Sequence, residues 1–121
     1  MNILIIAISS ITLSVAAQFL LKAGMGSIAI KQTLQEPTSW KTLLTVLTNP
    51  HIFAGFMLYG IGAIVWLGVL SRWEVSKAYP LVGLGFVLTL LVGLLNGEHI
   101  TTPRVIGVVL ISSGVFLVGR S

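Results

Sequence analysis

Four polar residues of this chain fall in register: Ser10, Ser14, Gln18 and Lys22 recur at every fourth position. On a helix that spacing places them one above another along a single face. Two hydroxyls, a carboxamide and a terminal ammonium form a row of hydrogen-bonding groups ending in a positive charge. Such a row suits a polar head group, and Lys22 at its end favours an anion such as a phosphate. The bland alternative for Lys22 is an ammonium that snorkels to lipid head groups. Catalysis is not expected. The serines have no base nearby, since His51 and His99 stand far apart at the ends of apolar runs, without metal-ligand spacing. The chain contains no cysteine and no aspartate. Disulfides and thiolate metal sites are therefore ruled out, and no metal, redox cofactor or other cofactor is expected.

The acidic residues narrow the chemistry further. Glu36, Glu74 and Glu98 all fall in links or at helix ends. A proton-driven cation exporter needs a carboxylate at hydrocarbon depth, to hold the cation and then exchange it for a proton. No apolar run here supplies one. Glu98 stands just before Thr101-Thr102-Pro103 and has two readings, an ion pair with a Lys or Arg of the bundle, or a capping or dipole role near a helix N-terminus. Trp66 and Tyr79 either line a cavity for a sugar or acyl chain or act as ordinary packing aromatics.

The elements that must carry these residues are membrane helices. Of 121 residues 55% are hydrophobic and only 8% charged, and the mean hydropathy is +1.03. A chain so short and apolar cannot hide its surface in a water-soluble core. The expected fold class is all-α: a four-transmembrane-helix bundle forming one domain over residues 1–121, with spans at about 3–22, 51–71, 77–95 and 103–119. The first run reaches roughly 28 Å, enough for a hydrocarbon core of about 30 Å. It lacks a basic leader and a small-residue cleavage site, so it is read as a span rather than a signal peptide. Lys22 and Gly24 are expected to close it. The long link that follows contains a turn at Glu36-Pro37-Thr38-Ser39. Trp40 to Leu47 then reads as a short amphipathic helix on the membrane surface. Asn49-Pro50 and Thr102-Pro103 open the second and last spans, proline being suited to a first helical turn.

Four spans put both ends on one side. Arg72, Lys77 and Arg120 fall on that side, against Lys22, Lys31, Lys41 and Arg104 on the other. This near tie permits either orientation, or both. The formal charge of +4 comes from basic residues scattered singly between apolar runs, so no nucleic acid is expected as partner. Gly107 and Gly114 give the last span a small-residue face, expected to be a dimer interface.

Several stretches resemble the drug/metabolite transporter superfamily. Ser14-Val15-Ala16-Ala17-Gln18 followed by Leu21-Lys22 is similar to its first helix. Ala78-Tyr79-Pro80-Leu81 resembles its third-helix signature. Gly97-Glu98, then Gly107-Val108-Val109-Leu110-Ile111 and Gly114-Val115, resembles its ending. Among the four-helix members, the chain looks more like the subunits of the aminoarabinose-phosphoundecaprenol flippase than the small multidrug resistance proteins, because Ser14 stands where the latter carry a glutamate. The resemblance implies a dimer of four-helix subunits, the last helices packing together and the substrate passing between the first three. The partner would be a second copy or a related four-helix subunit.

The expected function is a flippase of a bacterial inner membrane, moving a polyprenyl-phosphate-linked sugar or similar amphipathic anion. Ser14, Gln18 and Lys22 would contact the head group, with Trp66, Tyr79 and Glu98 completing the substrate site. Two alternatives come from other classes: an exporter of small cationic or neutral compounds, and a non-transporting subunit that stabilises a partner.

Overall fold

The computed structural model describes residues 2–121, and every regular element among them is helical. Helix α1 spans Ile3–Met25, opened by the Asn2 side chain accepting from the Leu4 N–H at 2.9 Å. It runs past Lys22 and Gly24, where the sequence suggested a stop. The physical reason is packing. Gly24 lets α1 pass closely over the start of the next span, where a methyl group would lie 2.8 Å from Asn49 Oδ1. The helix ends only at Gly26, whose N–H bonds to the Lys22 carbonyl.

The link between the first two spans holds two short helices, not one. Helix α2, Ile28–Leu34, was not expected; it buries Ile30 completely. Helix α3, Trp40–Thr48, matches the amphipathic helix read from sequence, and the Ser39 N–H donates to Thr42 Oγ1 at 3.3 Å at its head. Its exposed Trp40, Leu43, Leu44 and Leu47 form an apolar surface of the kind that lies in a membrane interface.

The second span, α4, is Pro50–Leu70. Asn49 caps it by accepting from the N–H groups of His51 and Ile52. The third span, Val75–Leu95, begins before Lys77 and changes character along its length. It opens as α5, Val75–Ala78, tightens to a 3-10 turn over Tyr79–Gly83, and continues as α6, Leu84–Leu95. Pro80 lacks the N–H that an α-helix would use there. Lys77 Nζ lies 4.6 Å from the Trp73 ring, a cation–π contact at the head of this span. The last span is α7, Thr102–Arg120, capped by Thr101, whose side chain accepts from the Arg104 N–H at 3.4 Å. All four spans are long and apolar enough to cross a membrane.

Helices α1 and α4 form the tightest pair. A methyl at Gly55 would sit 2.8 Å from Leu21 Cδ2, and one at Gly62 would sit 3.4 Å from the Ser10 carbonyl. Ser10 Oγ donates to the Gly62 carbonyl at 2.6 Å in a buried setting. Lipid gives helices no hydrophobic reason to associate, so close backbone approach and interhelical hydrogen bonds must hold them. Helix α7 is the loosest. It lays Ile111 and Val115 against Gly83, and Val115 is its one buried residue.

Candidate functional site

The polar face of α1 lines a cleft of about 610 Å³ bounded by α1, α4 and the third span, reached by Ser10, Ser14 and Gln18. Ser10 also bonds across the seam with α4. Trp66 from α4 and Tyr79 from the 3-10 turn line the same cleft, so five of the residues singled out in the sequence meet there. Its wall also includes Tyr59, Phe86 and Thr89. No charged side chain lines it. The surface is largely apolar with hydroxyl, amide and indole groups at intervals, the usual make-up of a ligand cavity.

Inside the cleft, Gln18 Nε2 donates to Tyr59 Oη, tying α1 to α4 on the cavity side. Sequence reasoning missed Tyr59. It lies in an apolar run with no motif around it, and its partner is 41 residues away.

A second cavity of about 570 Å³, here termed the cup, adjoins the cleft, and Gln18 and Thr89 line both. Lys22 and Glu98 stand in the cup with His99, Thr101 and Arg104. Lys22 follows Gln18 by one helical turn, roughly 6 Å along the axis. The elements meeting here are the C-terminal end of α1, the turn after α6 and the first turn of α7, which all lie at one membrane face. Arg104, read from sequence only as a topology signal, has its Nη1 donating to the His99 carbonyl at 2.9 Å. That bond turns its guanidinium back toward the turn before α7. The cup thus holds charged groups of both signs, and the cleft beside it is neutral and mostly apolar.

Glu98 does not cap α7, since Thr101 does. It belongs instead to the turn that ends α6. Gly97, at φ +81°, turns the chain, and the Glu98 N–H bonds back to the Gly93 carbonyl at 2.9 Å. This is the glycine-dependent helix ending in which a left-handed residue lets the chain reach its own last turn.

Gly107 and Gly114 lie apart from this site. A methyl at either position would meet nothing within 4 Å, so both face away from the bundle. Beside that face, α6 and α7 leave an apolar groove of about 750 Å³ lined by Val87, Leu90, Val109 and Phe116.

Four apolar spans, three of them around a cleft, define a multi-pass membrane protein. The chain belongs to the family described as "Putative transmembrane family 234", which matches residues 6–119. It is also similar to named flippase subunits. A "Probable 4-amino-4-deoxy-L-arabinose-phosphoundecaprenol flippase subunit ArnE" of Pseudomonas aeruginosa (strain UCBPP-PA14) is 34% identical, over 84% of this chain and 91% of the relative. The subunit of the same name from Pseudomonas savastanoi pv. phaseolicola is 36% identical over 79% of this chain and 86% of its own length. An ArnF counterpart from Proteus mirabilis is 30% identical over 94% of this chain and 89% of its own length. No solved structure matches the chain. The resemblance carried by short motifs thus extends over most of the sequence, to relatives named as transporters.

Proposed function

We propose that this chain is one subunit of a flippase that moves a polyprenyl-phosphate-linked sugar across a bacterial inner membrane. The observation that carries the reading is the charged cup lying against the neutral cleft, with Gln18 and Thr89 in the walls of both. A lipid-linked sugar phosphate has one anionic group, one hydroxyl-rich group and one long apolar tail. Lys22 and Arg104 suit the phosphate, each a charge-assisted donor at the membrane face. Ser14, Gln18, Tyr59 and Trp66 supply hydrogen-bonding and stacking groups for a sugar within the membrane. The largely apolar wall and the lipid outside it accommodate the tail. Bond-making chemistry has no place in this scheme, because flipping changes only location.

Four helices barely enclose a path for such a molecule. The outward Gly107–Gly114 face and the adjoining groove on α7 offer the surface for a partner of similar kind. The similarity to both ArnE and ArnF subunits supports a related four-helix chain as that partner.

The test is transport in proteoliposomes. The chain is purified with whatever partner accompanies it and supplied with a short-chain polyprenyl-phosphate sugar in one leaflet. Wild type is expected to move the lipid to the other leaflet, and Lys22→Ala to slow it while the assembly stays intact. Movement at the rate of empty vesicles would reject the reading. Proton-coupled uptake of a quaternary amine in its place would favour the cation exporter.

A further inference from the structure

Glu98 stands between two helix ends. The last turn of α6 before it disfavours an anion, whereas the N-terminus of α7 after it favours one. Its place is set by the turn between them. The backbone is fixed by the left-handed Gly97 and by the bond from the Glu98 N–H to the Gly93 carbonyl. The side chain folds back over α6, so that a methyl at Gly93 would lie 3.0 Å from Glu98 Oε1 and 3.1 Å from its Cδ. Two glycines are thus committed to placing one carboxylate in the cup.

That carboxylate is not consumed by the basic residues around it. Arg104 Nη1 is directed to the His99 carbonyl. Among the described residues Glu98 hydrogen-bonds only through its backbone N–H. The cup therefore presents both signs of charge, Lys22 and Arg104 positive and Glu98 negative. A head group bearing only a phosphate would gain from the first two and be repelled by the third. A head group bearing a phosphate and an ammonium would satisfy all three.

We infer that Glu98 is the selectivity residue of the site, pairing with an ammonium on the sugar while Lys22 and Arg104 hold the phosphate. The inference rests on the flippase reading above and assigns to one carboxylate the choice between charged and neutral sugars. Gly93 is the positioning residue for it, because a side chain there would displace the carboxylate from α6.

The experiment uses two lipid probes of equal chain length, a polyprenyl phosphate carrying an amino sugar and the same lipid with its amine acetylated. Wild type, purified with its accompanying partner, is expected to move the amino form faster. Glu98→Gln should slow the amino form by about tenfold or more, the usual loss for a hydrogen bond between charged groups, and leave the acetylated form near its wild-type rate. Glu98→Asp should retain the preference, and Gly93→Ala should weaken it. Equal losses on both lipids, or an undiminished preference in Glu98→Gln, would overturn the inference while the flippase reading stands. So would wild type moving both lipids equally. If Glu98→Gln does not assemble, the other two variants decide, and a wild-type preference in Gly93→Ala overturns the inference. Wild type moving neither lipid removes the flippase reading and this inference with it.

Discussion

Ser10 Oγ and the Gly62 carbonyl are joined at 2.6 Å across the buried seam between α1 and α4. The bond uses the one carbonyl lone pair that a helix leaves spare, so it costs α4 none of its own ladder. It also explains why the most polar span of the chain packs most tightly. The glycines of α4 bring the backbones close enough for a serine to reach across.

The first prediction concerns that seam. Ser10→Ala removes one interhelical hydrogen bond and should destabilise the bundle by about 0.6 kcal/mol, the average for such bonds in membranes, and by no more than about 1.7 kcal/mol. Gly55→Leu should cost more, since its first carbon alone would lie 2.8 Å from Leu21 Cδ2. Unfolding in mixed micelles with increasing denaturing detergent reads both. A Gly55→Leu protein as stable as wild type would show that the seam is not what holds α1 to α4.

The seam also marks where sequence reasoning stops. Runs of apolar residues long enough to cross a bilayer have few alternatives, so the four spans were legible from hydropathy alone. The amphipathic α3 was legible because proline, serine and tryptophan punctuate its start. Helix α2 was not, since seven residues are too few for a period to stand out. The polar face of α1 was visible as spacing, but its partners were not. Nothing in the sequence says that Ser10 bonds to the Gly62 carbonyl of α4 at the edge of the cleft. Tyr59 was hidden because its role depends on Gln18, a neighbour only in three dimensions. Arg104 was visible as a charge, but its place in the cup follows from how the ends of α1, α6 and α7 converge.

The Gln18–Tyr59 hydrogen bond yields a second prediction. If the two side chains act as a pair, Gln18→Leu and Tyr59→Phe should each lower stability. Combining them should cost less than the sum, with a coupling of about 0.6 kcal/mol, the average for such pairs in membranes. The double-mutant cycle in micelles measures this directly. Strict additivity would mean that the bond contributes nothing and that each side chain acts alone on the cleft.

The charges at the rim give a third. Lys22→Ala and Arg104→Ala should each slow transport of a polyprenyl-phosphate sugar by about tenfold, the loss expected when one charge-assisted hydrogen bond is removed. Lys22→Arg should keep most of the rate. Arg104→Lys should keep less, because a lysine cannot reproduce the guanidinium held by the His99 carbonyl. Initial rates in proteoliposomes compare the four. Stability should hardly change, since both side chains are exposed, and unaltered transport in both alanine variants would exclude a phosphate site in the cup.

A fourth prediction follows from the turn after α6. Gly97 has φ +81°, where a side chain with a Cβ costs about 1–2 kcal/mol. Gly97→Val should therefore lower stability by at least that much, and Gly97→Asn by less, because asparagine tolerates the left-handed region. The same substitutions should disturb Glu98, whose N–H bond to Gly93 depends on the turn. Unfolding midpoints in micelles give the first effect. A Gly97→Val protein as stable as wild type would mean that the turn adopts another form in the bilayer.

The last concerns α7. Gly107 and Gly114 are two helical turns apart, so they share a face, and in the isolated subunit nothing lies within 4 Å of a methyl at either position. Large side chains there should leave the subunit's own fold intact, because they displace nothing within it. If that face meets a partner, the same side chains would hold the two backbones apart and forfeit the close packing that binds helices in lipid. Gly107→Leu and Gly114→Leu should then give a well-folded subunit that no longer co-purifies with its partner or with a second tagged copy. Ile106→Ala, at an exposed site about a quarter turn round the helix from that face, serves as a control for general effects of changing α7. Undiminished association in both leucine variants would move the interface elsewhere, with the groove beside Val109 and Phe116 the next surface to examine.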